Sequence, residues 1–121
     1  FEGSATGTST YDLAVGLMAA GHDVRVLVVD LDRRSRETFP VRRVVCRGAD
    51  PQADLPFDLP SFTTHPQSRL TYFNLSDDQV AQYRDVLRQA IDEEVDRFDP
   101  QIIHCQHLWV QAALVLETGV P

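Results

Sequence analysis

The chain has 121 residues, 11 basic against 18 acidic side chains for a net charge of −7, and 43% hydrophobic content. It is long enough to bury a core as one soluble domain without disulfide staples, so Cys46 and Cys105 read as reduced thiols of a cytosolic protein. The acidic balance argues against nucleic acid and stable membrane docking, no apolar run nears the roughly 18 residues of a bilayer span, and the absence of lysine removes Schiff-base and P-loop chemistry.

The opening FEGSATGTST lacks the charged and apolar regions of a secretory signal. Its glycine- and hydroxyl-rich run from Gly3 to Thr10 reads as a loop. Tyr11, Leu13, Ala14, Leu17 and Met18 follow at helical steps, giving an amphipathic helix that Gly21 should cap. Val24 to Val29 form a β-branched run ending at Asp30, the pattern of a strand covered on both faces in a parallel sheet. A polar connection through Arg33, Arg34, Arg36 and Glu37 leads to a second strand, Val41–Val45.

Residues 47–76 carry four prolines interleaved with Phe57, Phe62, Tyr72 and Phe73 and keep no period, so an irregular loop is expected that packs down through its aromatics. Ser76-Asp77-Asp78-Gln79 fits a capping box. It opens a helix whose Val80, Tyr83, Leu87, Ile91, Val95 and Phe98 share one face until Pro100 stops it. Ile102–Cys105 reads as a short strand and Leu108–Glu117 as a last helix, closed by Gly119. A loop that opens a helix normally follows a strand, and Gly-Val-Pro normally leads into one. The expected fold is therefore α/β, a Rossmann-like doubly wound parallel sheet in three α/β/α layers, incomplete at both ends, with residues 1–121 as a single domain.

Three constellations can carry chemistry. Gly3 to Thr10 sets small residues and hydroxyls at a helix N-terminus, where unpaired N–H groups favour a phosphate; a hydroxyl-capped turn with no ligand is the plainer alternative. Asp30 ends a strand some twenty residues later, where a dinucleotide-binding domain would hold a ribose, so an NAD(P)-dependent oxidoreductase is a rival reading. His104, Cys105, Gln106 and His107 lie at the carboxyl end of a strand, the edge at which open parallel sheets bind ligands. Strand alternation sends His104 and Gln106 one way and Cys105 and His107 the other. Imidazoles there can bond sugar hydroxyls or phosphate oxygens, whereas a buried, hydrogen-bonded histidine is the usual alternative for either one alone. Ligand spacing is wrong for zinc on His104, Cys105, His107 and His65, so no metal site is expected. A non-catalytic binding module using the aromatic loop is the third class.

The run Gly3-Ser4-Ala5-Thr6-Gly7-Thr8-Ser9-Thr10, the link Ala19-Ala20-Gly21-His22-Asp23-Val24 and the segment Pro100-Gln101-Ile102-Ile103-His104-Cys105-Gln106-His107 together resemble the N-terminal domain of family 4 glycosyltransferases with the GT-B fold. The resemblance implies retaining transfer of a sugar from a nucleotide-diphosphate sugar donor to a sugar, lipid or small-molecule acceptor. This chain would form the acceptor-side half of the cleft, and a C-terminal domain of the same protein would grip the nucleotide. It implies no cofactor, a cytoplasmic place that extends to the inner membrane face, and a piece inactive by itself. Gly3, Ser4, Gly7 and Thr8 map onto the loop facing the diphosphate or the transferred sugar. The family's reaction-centre histidine maps onto Gln106 or, with a one-residue shift, His107. His107 is the catalytic choice, with His104 and Gln106 as lining residues. His65 and Arg69, in the long loop, would face the acceptor.

Overall fold

The computed structural model describes residues 5–34, 37–46, 51–62, 68–107 and 109–121. Its elements are α1 (Ala5–Ala19), β1 (Val26–Asp30), β2 (Val41–Val45), a 3-10 turn at Tyr72–Asn74, α2 (Asp77–Phe98) and α3 (Val110–Glu117). β1 and β2 pair in parallel, with Val26 opposite Val41 and Asp30 opposite Val45. This mixed helix and parallel-strand arrangement is α/β.

Period-two alternation decides which strand residues meet the helices. From β1, Leu27 and Val29 pack toward the core, whose buried members are Val44, Cys46, Leu55, Phe57, Tyr83, Leu87, Ala90, Ile91 and Leu114. β1 is half-buried along its whole length, not covered on both faces as its valine run suggests. Cys46 and Leu55 form an isolated parallel bridge, and so do Ser61 and Thr71, which tie the long loop to the end of β2 and to itself. The loop thus packs down as its composition predicts, with Leu55, Phe57 and Pro60 buried.

The helix signals act locally and hold. Ser76 Oγ accepts from the Gln79 N–H at 3.2 Å, and Gln79 Oε1 accepts from the Ser76 N–H at 2.9 Å, closing the capping box. Asp99 takes a left-handed φ of 49° and donates its N–H to the Val95 carbonyl, ending α2 before Pro100. Gly21, at φ 90°, ends α1; its N–H reaches the Met18 carbonyl and that of His22 reaches the Leu17 carbonyl, satisfying two terminal acceptors.

Three expectations are corrected. First, α1 begins at Ala5, so Gly7 and Thr8 lie in its first turn and not in a loop. The hydroxyls tolerate this because Thr10 Oγ1 donates back to the Thr6 carbonyl one turn earlier, at 2.9 Å. Second, the apolar stripe of α1 is largely uncovered among the described residues: Ala14 is buried, whereas Tyr11, Leu13, Leu17 and Met18 are exposed, with Tyr11 against Phe39 at 5.5 Å between ring centroids. Third, Ile102–Cys105 forms no strand among the described residues; Ile102 is exposed, and Ile103 donates its N–H to the Pro121 carbonyl at 2.7 Å. A strand exists only through its ladder, and among the described residues the sheet has two strands.

Candidate functional site

The N-terminus of α1 and the segment after Ile103 meet. Thr6 Oγ1 and His107 Nε2 share a hydrogen bond of 3.2 Å, in which the imidazole tautomer decides the donor. The contact puts an exposed imidazole against the N-terminal end of α1, where the helix dipole is positive. A ligand there meets the helix end, a hydroxyl and an imidazole together.

Aromatic rings wall this edge. Phe62 lies 6.2 Å from the His107 ring and 5.7 Å from Trp109, both edge-on, and 4.9 Å from Tyr72. Tyr72 in turn packs edge-on against Trp109 at 5.7 Å and against Tyr83 of α2 at 6.0 Å, with the two tyrosine hydroxyls 3.3 Å apart. Burial pushes both phenols above their usual range. The long loop, the segment before α3, and α2 thereby hold His107 from one side, and α1 holds it from the other.

Gly7 and Thr8 follow Thr6 in the first turn of α1. His104 and Gln106 are exposed, and no described hydrogen bond or ring contact joins them to Thr6 or His107. Arg69 is exposed in the long loop, where among the described residues it makes no ion pair. Gly3, Ser4 and His65 lie outside the described residues. Thr6, the partner of His107, was not singled out by sequence reasoning: it sat within the hydroxyl-rich run but carried no mark that set it apart from Thr8 or Thr10.

Asp30 has other work. Its Oδ1 accepts from the Leu31 N–H at 2.8 Å and its Oδ2 from Arg43 Nε at 3.2 Å, and the same guanidinium reaches Glu37 Oε1 at 2.5 Å. The Arg43 side chain is 5% exposed and that of Glu37 8%. Asp30 is thus part of a largely buried ion triad, not a carboxylate open to a ribose. Cys46 is equally unsuited to chemistry: burial, aided by the Asp58, Asp30 and Asp54 carboxylates, pushes its thiol up from 9.0 to about 12. Cys105, half-buried, is also raised by burial.

Among the described residues no three His, Cys, Asp or Glu side chains gather as a metal-ligand set, and no helix is long and apolar enough to cross a membrane. A separate hollow of about 260 Å³ between the long loop and the start of α2 is lined by Pro56, Phe57, Asp58, Leu70 and Gln79, none of which belongs to the Thr6–His107 edge. A family model described as a glycosyl transferase 4-like domain matches residues 4–121. No curated protein and no solved structure matches the chain.

Proposed function

The chain belongs to the glycosyl transferase 4-like family, and we propose that within it the Thr6–His107 edge is the acceptor-side half of a sugar-transfer site. A glycosyltransferase breaks the bond between the sugar's anomeric carbon and the diphosphate, which leaves with the electron pair; the acceptor oxygen bonds that carbon and gives up its proton. Developing charge on the diphosphate calls for fixed donors and a favourable dipole. The first turn of α1, with Gly7 and Thr8 and the preceding Gly3 and Ser4, supplies them in this reading. His107 sits at the reaction centre, His104 and Gln106 line it, and His65 and Arg69 face the acceptor.

The finer features belong to the same proposal. They are a retaining outcome, a GT-B enzyme whose second domain grips the nucleotide, a fuller three-layer Rossmann-like sheet around β1 and β2, no metal or cofactor, and action in the cytoplasm. The single observation that supports the reading is the 3.2 Å contact joining two motifs that lie 101 residues apart. It makes one edge of the hydroxyl-rich helix start and the histidine segment.

The test is titration and turnover of the full-length protein with UDP- and GDP-sugars, with NADH as the control. Binding and hydrolysis or transfer of a nucleotide sugar, lost in His107→Ala, supports the proposal. Tight NADH binding, or transfer unchanged in His107→Ala, removes it.

A further inference from the structure

We propose that Phe62 and Trp109 form an aromatic shelf beside His107 that stacks the ring of a carbohydrate acceptor, a pyranoside presenting its C–H face. The inference rests on the reading of the Thr6–His107 edge as the reactive one and names the class of molecule brought to it.

The argument starts from exposure. Phe62 is 42% exposed and Trp109 45%, though both are large apolar rings that folding normally covers. They are not loose. They pack edge-on against each other, Trp109 packs edge-on and Phe62 tilted against Tyr72, and the Tyr72 ring is braced by Tyr83 of α2. The backbone of Trp109 is fixed as well, because its carbonyl accepts the Ala113 N–H in the first turn of α3 at 3.1 Å. The result is a rigid pair of half-open rings at 72° to each other, prepared before any ligand arrives.

The chemistry of the surroundings selects the occupant. An aromatic face carries negative quadrupole charge and attracts the weakly positive C–H groups of a pyranose face. A pyranoside also carries hydroxyls around its rim, and the shelf's own rim is polar: the His107 ring stands 6.2 Å from Phe62 and is bonded to the Thr6 hydroxyl. A ligand with one apolar face and a hydrogen-bonding edge fits that arrangement. A purely aliphatic ligand makes no use of the imidazole and hydroxyl at the rim, and an acyclic polyol has no face to stack.

Saturation-transfer NMR on the full-length protein, with methyl β-D-glucopyranoside, glycerol and p-nitrophenol as separate probes, tests the proposal. The expected result is saturation concentrated on the pyranoside ring C–H protons, and affinity reduced about tenfold in Phe62→Ala and in Trp109→Ala, with Trp109→Phe retaining most of it. Circular dichroism checks the folding of each variant; should Trp109→Ala not fold, Phe62→Ala and Trp109→Phe carry the comparison. Undiminished pyranoside binding in Phe62→Ala, glycerol binding as tightly as the pyranoside, or binding of p-nitrophenol alone overturns the shelf. Transfer activity of His107→Ala is read separately. If that variant transfers normally while the shelf variants still lose affinity, the reactive-edge reading falls and the shelf stands.

Discussion

Arg43 on β2 reaches diagonally to Asp30 on β1: its register partner is Val28, yet its Nε donates to the Asp30 carboxylate two residues further along, on the same sheet face, at 3.2 Å. With Glu37 the guanidinium completes a triad whose side chains are 5% (Arg43), 17% (Asp30) and 8% (Glu37) exposed.

Removing the cation alone leaves two carboxylates in a poorly solvated place. Arg43→Met is expected to destabilise the fold by about 3–5 kcal/mol. The combined replacement of Arg43, Asp30 and Glu37 by apolar residues of similar volume is expected to be milder than the single change. Urea unfolding of both variants checks the order.

The Thr6–His107 bond predicts a split between the two residues. His107→Ala should lower kcat about 10²–10³-fold as a reaction-centre donor is lost. Thr6→Val loses one neutral hydrogen bond, worth about 1 kcal/mol, and should lower kcat roughly fivefold with KM little changed. Thr6→Ser should restore it. Steady-state kinetics with the best nucleotide-sugar donor reads all three.

The alkaline limb of stability follows from Cys46. Its folded thiol is raised from 9.0 to about 12, so below pH 9 both folded and unfolded chains keep the proton and the stability is fully present. Between pH 9 and 12 the unfolded chain loses its proton first, and stability declines as pH rises through that window. The raised phenols of Tyr72 and Tyr83 act in the same direction. Denaturation midpoints at pH 7, 9 and 10.5 should fall in that order, and less steeply in Cys46→Val. A thiol reagent at pH 8 should modify Cys105 well before Cys46.

Ser76→Ala removes the hydroxyl that satisfies the Gln79 N–H at the start of α2, where Asp77 and Asp78 also complement the helix dipole. The expected cost is about 1 kcal/mol. Thermal unfolding followed at 222 nm reads it, and Ser76→Asp should recover most of the loss.

What could be read from residue order was what acts over a few residues. The Ser76–Gln79 box and the positive φ of Gly21 and Gly119 were legible because each is a bargain between neighbours, and the valine runs announced β1 and β2. The strand expected at Ile102–Cys105 was not, because strandness depends on a pairing partner that local sequence does not name. Glu37 read only as part of a polar connection and Arg43 only as a residue of the second strand, since nothing in a string of letters says that a guanidinium will meet two carboxylates indoors. Of the candidate site, His107 and the hydroxyl-rich run were singled out from the sequence. The choice of Thr6 within that run and the openness of Phe62 and Trp109 depended on three-dimensional proximity.

Because Thr6 must wait for His107, the edge they share cannot close until synthesis has passed residue 107. At about 5–20 residues per second, a ribosome needs roughly 5–20 s to make the 101 residues that separate them. For that interval α1 is made but without its imidazole partner. A nascent chain can therefore pair β1 with β2 and form α2 while the Thr6–His107 edge stays unformed until residue 107 emerges.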